Sequence, residues 1–331
     1  MKPARWIDLG LVSGETFHAS YAAVAECQGD DAAPAVVWGR AIDHISLGQH
    51  QSARAELAWP RAVPAVRRPL GGGSVWIDPD QLCFALVVPL AQLSRRPAEW
   101  YGWGLAPAVA AFRALGLVVD CVDRDLWCAG RKIAGSGAAT IGRSAVIGSS
   151  FMLHFPAARF AACVRSPSDG FRAWLAEELA AAVTSWSEHA VPPAAERIAA
   201  AFRGACAALF AWRIADTALT GAERAALADI VTDDEGDEDN GRRLVPDGIK
   251  LNARRYLREA QEGNAWARCV TDDGRIARIA VSEPAAARIL ACHTGAGNDV
   301  PALLAALDAG LPPVSAAVMR RLLARAAGFA A

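Results

Sequence analysis

Apolar residues recur in two different patterns along the first half of the chain. Phe17, Tyr21 and Val24 recur at helical spacing and predict a helix, with His18 on its exposed face. Residues 6–13 show neither period and are predicted to be irregular. Short apolar runs bounded by turn-forming residues predict strands at 35–38, 44–48, 82–88, 118–122 and 148–155. Together these elements predict an α+β fold, in which helices flank a mixed, mostly antiparallel sheet.

The hydrophobic pattern changes twice in the second half of the chain. Residues 160–212 carry helical periodicity. Residues 232–241 are acidic and have no apolar period, which is typical of a flexible linker. Alternation of apolar and polar residues then predicts strands around a two-residue hairpin turn, followed by two closing helices. We therefore predict a large domain at 1–231, an acidic flexible linker at 232–246 and a small α+β domain at 247–331.

Composition narrows the class of protein. Of the 331 residues, 53% are hydrophobic and 21% are charged, which is typical of a folded globular chain and not of a disordered one. A formal net charge of −1 gives no overall field that would attract nucleic acid or an anionic membrane. We find neither a secretory signal nor an uncharged stretch of transmembrane length, and expect a cytoplasmic protein. The 8 cysteines form no CxxC pair, so we expect free thiols and no structural metal.

The first stretch with candidate chemistry lies at residues 67–78. Arg67 and Arg68 precede the triplet Gly71, Gly72 and Gly73. Glycine lets a backbone approach a ligand closely, and guanidinium groups and exposed amides donate to carboxylate or phosphate. The stretch indicates an anion-binding turn, although a lone glycine triplet is also typical of a plain hairpin with two solvated arginines.

The second stretch lies at residues 124–137 and predicts a hairpin. Its two strands meet in a tight turn at Ala129 and Gly130, and a Gly-Ser-Gly turn follows. Lys132 lies on the second strand. Taken alone, it would be one more hairpin lysine on a solvated face.

Taken together, the two stretches resemble the lipoate-protein ligases, in the larger family of biotin and lipoate ligase catalytic domains. The matching residues are Arg-Arg-x-x-Gly-Gly-Gly-x-Val-x-x-Asp at 67–78 and Gly-Arg-Lys-Ile-x-Gly-Ser at 130–136, in the order and about the separation of that family. Weaker similarity covers 45–51 and 219–224. The resemblance implies that residues 1–231 form a catalytic domain with a biotin/lipoyl ligase-like fold. The strands and helices at 247–331 are similar to the small accessory domain of these ligases, here fused.

The resemblance also implies a reaction, its cofactors and its site. These enzymes use ATP to join lipoate, or a related medium-chain acid, to a carrier-protein lysine through an acyl-adenylate, releasing pyrophosphate and AMP. By resemblance, Lys132 is the catalytic cation, and Asp125 is the candidate ligand of Mg²⁺. The implied substrate-binding residues are Arg68, Gly71, Gly72, Gly73, Asp78, Gly135, Ser136 and Arg143. The implied partner is a lipoyl-accepting carrier such as a lipoyl domain, an H protein or a lipoate-binding protein, with no nucleic acid and no membrane.

Several departures from the family pattern keep other functions open. Ile77 replaces a frequent histidine before Asp78, Arg124 replaces an asparagine before Asp125, and residues 146–149 lack the usual histidine pair. Related octanoyl- and lipoyltransferases use a cysteine thioester and no ATP. The candidate cysteines for that chemistry are Cys121, Cys128 and Cys163. A non-catalytic carrier-binding homologue is the third hypothesis.

Overall fold

The computed structural model describes residues 1–236, 241–293 and 300–328. Contacts divide the chain into two compact units, each built from two segments. The first unit comprises Met1–Pro156 and Val183–Arg242, and the second comprises Ala157–Ala182 and Arg243–Ala331. The contacts therefore group 157–182, which the sequence placed in the catalytic domain, with the C-terminal residues. Within the predicted linker, residues 232–236 are helical, and 237–240 lie outside the described residues.

Helices and strands are numbered in chain order. The strands are β1 Lys2–Val12, β2 Ala35–Ala41, β3 His44–Leu47, β4 Ala65–Arg67, β5 Val75–Ile77, β6 Gln81–Pro89, β7 Asp120–Val122, β8 Asp125–Cys128, β9 Arg131–Ala134, β10 Gly137–Ile141, β11 Ser144–Met152, β12 Trp212–Asp216, β13 Gly248–Lys250, β14 Arg255–Glu262, β15 Ala265–Asp272 and β16 Arg275–Val281. The helices are α1 Gly14–Cys27, α2 Ala53–Glu56, α3 Trp100–Ala114, α4 Ala157–Cys163, α5 Asp169–Ala182, α6 Ala195–Phe210, α7 Gly221–Gly236, α8 Pro284–His293, α9 Val300–Gly310 and α10 Pro313–Ala327.

A mixed sheet forms the centre of the first unit, in the order β10-β11-β6-β2-β1-β12. β1 pairs in parallel with both β2 and β12, and the remaining neighbours pair antiparallel, as the sequence predicted. The first strand was missed, because residues 6–13 were expected to be irregular. Trp6 and Ile7 are both buried there, on opposite faces of the sheet. Gly10 has a φ of 66°, which interrupts the regular alternation.

Both faces of this sheet are covered by helices. Every residue of β6 is buried, so the strand reads as a continuous apolar run. Phe84 joins the core cluster that contains residues of α3 and α6, whereas Ala85 joins the cluster that contains residues of α1. Because successive side chains of a strand point to opposite faces, one strand supplies both cores. None of the described helices is long and apolar enough to cross a membrane.

Two small sheets of the first unit carry the candidate residues. One has the order β4-β3-β5, so that β3 lies between the strands before and after the glycine triplet. The other has the order β7-β8-β9. The predicted two-residue turn between β8 and β9 is confirmed, because Ala129 and Gly130 have φ values of 47° and 77°.

The second unit packs helices against an antiparallel sheet of order β13-β14-β15-β16. α10 contacts β14 and β15, and α5, from the middle of the chain, also contacts β14. A buried ion pair lies in this unit, where Arg268 Nε is 2.6 Å from Glu259 Oε2. The Arg268 guanidinium also lies over the rings of Trp174 and Trp266. α5 is joined to the C-terminal sheet by this Trp174 contact and by an ion pair of Glu178 with Arg255 at 2.6 Å.

Candidate active site

The Arg68 guanidinium organises the glycine turn, defined here as residues 68–74, which joins β4 to β5. Arg68 Nη2 donates to the carbonyl oxygens of Gly71 at 2.9 Å and Gly73 at 2.8 Å. Nη1 donates to the carbonyl oxygen of Ser46 at 2.8 Å. Arg68 is 8% exposed, and burial lowers the pKa of its guanidinium to about 10. The arginine therefore holds the backbone of the turn from within the protein.

Glycine is required at two positions around this turn. Gly72 has a φ of 104°, which residues with a side chain rarely adopt. A Cβ on Gly48 would stand 2.0 Å from the Gly72 carbonyl oxygen, so only glycine at 48 lets the turn pack there. By contrast, no atom of the described residues lies within 4 Å of a Cβ built on Gly71. The backbone at Gly71 therefore faces open space, where a ligand can approach closely.

Lys132 and Asp125 face each other across the β8–β9 hairpin. Lys132 Nζ lies 3.0 Å from Asp125 Oδ2, and the two side chains are 18% and 10% exposed. An ion pair in such a mostly buried position is held more firmly than one on an open surface. The hairpin therefore presents an oriented ammonium group.

Backbone contacts also fix the strand that carries Lys132. The Thr184 N–H donates to the Lys132 carbonyl oxygen at 2.8 Å. The adjacent Arg131 forms an ion pair with Glu188 at 2.7 Å. Because neighbouring side chains of a strand point to opposite faces, Arg131 and Lys132 project away from each other. The main chain is thus held in place while the Lys132 ammonium faces the candidate site.

A turn of small residues brings the two stretches together. A Cβ on Gly135 would stand 3.1 Å from Lys132 Nζ, and a Cβ on Gly137 would stand 3.4 Å from the Gly71 carbonyl oxygen. Between them, the Ser136 hydroxyl donates to a main-chain carbonyl of the β7–β8 turn. Asp125, Lys132 and Gly135 are called the lysine cluster from here on. Residues 135–137 therefore contact Lys132 at one end and the glycine turn at the other.

Asp78 has partners within the protein. Its Oδ2 accepts from the indole N–H of Trp76 at 2.6 Å, and its Oδ1 accepts from the backbone N–H of Asp80 at 3.0 Å. Asp78 is 6% exposed, and burial raises the pKa of its carboxyl group. These contacts close the turn that follows β5.

Arg143 lies away from the other candidates. Gly137 begins β10 and Ile141 ends it, and Arg143 follows in the turn to β11. Its guanidinium forms an ion pair with Asp30, and its side chain is 69% exposed. The structure therefore does not bring Arg143 to the lysine cluster.

A buried polar cluster beside Arg68 was missed from the sequence. His18 was predicted to be exposed, which is wrong, because it is 5% exposed. Its Nε2 lies 2.9 Å from Ser46 Oγ and 3.4 Å from His44 Nε2. His44 Nδ1 in turn is hydrogen-bonded to the Ile42 carbonyl oxygen at 2.8 Å. Burial lowers the pKa of both imidazoles, to which the Arg68 charge also contributes.

Solved structures resemble this fold at low sequence identity. A chain from the bi-partite lipoate protein ligase and E2 lipoyl domain of Thermoplasma acidophilum matches with a TM-score of 0.66 and 17% identity, covering 72% of this chain and 96% of that one. A putative lipoate protein ligase of T. acidophilum with bound lipoic acid has a TM-score of 0.61 and 16% identity, covering 72% and 99%. Lipoate-protein ligase A bound with ATP has a TM-score of 0.61 and 16% identity, covering 72% and 97%. These likenesses confirm the predicted fold class.

A family model gives the assignment. A search of curated proteins gave no match. The model of the lipoyl protein ligase A/B catalytic domain, however, matches residues 18–207. That range is more than half of the 331-residue chain and contains both the glycine turn and the lysine cluster. This protein therefore belongs to the lipoyl protein ligase A/B catalytic domain family.

Proposed function

We propose that this protein is an ATP-dependent lipoate-protein ligase. It would activate lipoate, or a related medium-chain acid, as an acyl-adenylate and pass the acyl group to a lysine of a carrier protein. The observation that carries the proposal is the short turn at residues 135–137, which packs against the paired Lys132 ammonium at one end and against Gly71 of the glycine turn at the other. Similar folds that bind lipoic acid and ATP support the choice of substrates.

The first step joins two anions. A carboxylate oxygen of the acid attacks the α-phosphorus of ATP, the bond from that phosphorus to the bridging oxygen breaks, and pyrophosphate leaves with the electron pair. Coulomb repulsion opposes this approach, most strongly where water is excluded. The Lys132 ammonium, oriented by Asp125 at 3.0 Å, would offset that repulsion between the carboxylate and the phosphate. Backbone amides at Gly71 would add uncharged donors.

Mg²⁺ fits this proposal as a companion of ATP. Asp125 offers one carboxylate, whose Oδ2 pairs with Lys132. Mg²⁺ usually keeps several waters and needs only one or two protein carboxylates beside substrate phosphates. The described residues contain no group of three or more His, Cys, Asp and Glu that would hold a metal by themselves. Asp125 would thus help to hold the ion, which would neutralise phosphate charge.

The second step needs no nucleophile from this protein. The neutral amine of a carrier lysine attacks the acyl carbon, the bond from that carbon to the phosphate oxygen breaks, AMP leaves, and a proton is lost to solvent. The proposed partner is a protein with a lysine on an exposed hairpin, such as a lipoyl domain, an H protein or a lipoate-binding protein. The E2 lipoyl domain studied with the T. acidophilum ligase supports this class of partner.

The state of the cysteines favours the ligase over a thioester-forming transferase. A thioester requires a reactive thiolate. Burial raises the pKa of the Cys121, Cys128 and Cys163 thiols, and the Asp125 charge raises that of Cys121 further. Each of these thiols is therefore held in its neutral, poorly nucleophilic form near neutral pH.

Carrier modification tests the proposal. The protein is incubated with lipoate, Mg²⁺, ATP and an isolated lipoyl domain, and the mass of the domain and the AMP formed are measured. We expect one lipoyl group per domain, matched by AMP, and no modification without ATP. Acyl transfer from a preloaded carrier without ATP, blocked by a thiol reagent, would establish the transferase instead. No modification in either assay would favour the non-catalytic homologue.

A further inference from the structure

Five buried polar side chains meet on the inner side of the glycine turn. His18 and Tyr21 lie on α1, His44 and Ser46 lie on β3, and Arg68 begins the turn. Their exposed fractions are 5%, 1%, 1%, 0% and 8% in that order. Burial of so many polar groups is costly unless each finds a partner, so their hydrogen bonds must be arranged consistently. The mechanism proposed above assigns no role to the two histidines.

The partners of the two imidazoles fix where their protons lie. His44 Nδ1 is 2.8 Å from the Ile42 carbonyl oxygen, which can only accept, so Nδ1 carries the proton of a neutral ring. His44 Nε2 is then an acceptor. His18 Nε2 lies 3.4 Å from this acceptor and 2.9 Å from Ser46 Oγ. A proton on His18 Nε2 can be shared between the two, whereas the other tautomer would set two acceptor nitrogens against each other. His18 Nδ1 is left to accept from the Tyr21 hydroxyl, 3.1 Å away.

This arrangement leads directly to Arg68. Ser46 Oγ accepts from His18 Nε2 at 2.9 Å and from Arg68 Nη1 at 3.3 Å, which uses both of its lone pairs. On its other side, the guanidinium holds the Gly71 and Gly73 carbonyl oxygens. Among the described residues, the Arg68 guanidinium has hydrogen bonds to oxygens of Ser46, Gly71 and Gly73 and no carboxylate partner. Neutral dipoles, not an opposite charge, therefore set its position.

We propose that His18 is a positioning residue, which acts through Ser46 to fix the Arg68 guanidinium and thereby the shape of the glycine turn. The proposal rests on the function proposed above, in which that turn binds the anionic substrates. It assigns His18 no contact with substrate. Loss of His18 should raise the KM for the acid more than it lowers kcat, because the turn loses its binding shape while Lys132 stays in place.

The same network is incompatible with a charged imidazole. A proton added to His44 Nε2 would set two N–H donors against each other across 3.4 Å, and burial and the Arg68 charge oppose a second proton on His18. The His44 ring also packs against Gly14, the first residue of α1, where the helix end carries partial positive charge.

Charged and titratable groups face this cluster from the elements around it. Glu15 of α1 and the neighbouring Asp43 favour the charged form of His44, whereas Arg68 opposes it. Cys83 of β6 lies near Tyr21. Since burial outweighs the two carboxylates at His44, both rings are neutral at pH 7, and acidification should loosen the glycine turn.

Three variants test the proposal in the full-length protein. His18→Leu removes the hydrogen bonds to Ser46, His44 and Tyr21, His18→Gln retains a neutral donor to Ser46, and the exposed His154→Leu is the matched control. The readouts are amide hydrogen exchange of residues 69–75 and the KM for lipoate in ATP–pyrophosphate exchange, both between pH 5 and 8. In His18→Leu we expect about tenfold faster amide hydrogen exchange of the turn and about tenfold higher KM for lipoate. Both values should largely recover in His18→Gln and stay unchanged in the control. His18→Gln should also show a flatter pH dependence than the wild type.

The outcomes separate this proposal from the proposed function. Turn amides and KM that stay at wild-type values in folded His18→Leu would overturn the positioning role. If His18→Leu does not fold, Ser46→Ala applies the same test, since it removes only the bridging hydroxyl. Faster amide exchange in His18→Leu, together with a wild type that shows no lipoate-dependent pyrophosphate exchange, would leave the positioning role intact. It would overturn the proposed ligase function.

Discussion

Replacing Gly48 with alanine tests whether close backbone packing shapes the glycine turn. The new Cβ would stand 2.0 Å from the Gly72 carbonyl oxygen and 3.0 Å from its carbonyl carbon. Both of these neighbours are backbone atoms, so no side chain can rotate away to make room. The turn must therefore retreat from the end of β3 by about 1 Å or more, as in other overpacked sites.

The size of the effect follows from the hydrogen bonds that such a movement breaks. The Gln49 N–H donates to the Leu70 carbonyl oxygen at 3.0 Å, and Arg68 donates to Gly71 and Gly73 at 2.9 and 2.8 Å. Lengthening any of these by about 1 Å takes it beyond hydrogen-bond range. Overpacking costs about 1–3 kcal/mol and a buried unpaired donor a further ~1–3 kcal/mol. We expect Gly48→Ala to lower the free energy of unfolding by about 3 kcal/mol.

Urea unfolding of Gly48→Ala and Gly71→Ala separates packing from ligand approach. Gly71→Ala is the matched control for stability, because its Cβ meets open space and its φ is ordinary. We expect its unfolding free energy to stay within about 0.5 kcal/mol of wild type, while the KM for lipoate rises about tenfold. A Gly48→Ala protein as stable as wild type would refute the packing argument. A Gly71→Ala protein with unchanged KM would refute ligand approach at that backbone.

Three further predictions use the same unfolding and activity assays. Glu259→Gln leaves the buried Arg268 guanidinium without its carboxylate and should lower the unfolding free energy by about 3–5 kcal/mol; a loss below about 1 kcal/mol would contradict this. The folded-state pKa values of His18 and His44 are depressed, so below pH ~6.5 the unfolded chain binds protons that the folded chain does not. Stability should therefore fall with acidification by up to ~1.4 kcal/mol per pH unit for each histidine, and His18→Gln should show a shallower slope than wild type. Cys121→Ser should keep full carrier modification, and its inactivity would revive the thioester mechanism.

The sequence pattern was sufficient to predict elements whose structure depends mainly on neighbouring residues in the chain. The turn at Ala129 and Gly130 was predictable, because a two-residue hairpin loop needs positive φ and the flanking residues favour strands. The presence of α1 was predictable from the helical spacing of its apolar residues. The proximity of the glycine turn and Lys132 was not visible in either stretch alone. It was expected only because the two stretches together resembled a known family.

Features set by tertiary packing were missed. His18 was predicted to be exposed because apolar spacing defines a single buried face, whereas α1 has buried residues around most of its circumference. β1 was missed because Gly10 interrupts its alternation. Arg68 was predicted to point at a ligand anion, and its described hydrogen bonds go to carbonyl oxygens of its own turn and of Ser46. Sequence alone cannot show which acceptors surround a buried donor.

The grouping of residues into domains also depends on contacts that the sequence pattern does not show. The helical pattern at 160–212 gave no signal that residues 157–182 group with the C-terminal sheet. The ion pair of Arg255 with Glu178 at 2.6 Å, which joins β14 to α5, links residues that lie 77 positions apart in the chain. Partners far apart in the chain decide such assignments.

Lipoate-dependent exchange of labelled pyrophosphate into ATP, without any carrier protein, tests the central claim most directly. The variant Lys132→Met keeps the side-chain stem and removes the ammonium, and Arg131→Met is the matched control, since Arg131 pairs with Glu188 on the opposite face of the strand. Loss of a preorganised cation costs about 3 kcal/mol of transition-state stabilisation, which corresponds to about a hundredfold slower exchange. We predict lipoate-dependent exchange in the wild type and in Arg131→Met, and its near disappearance in Lys132→Met. Equal exchange in both variants, or none in the wild type with lipoate or octanoate, would contradict the account.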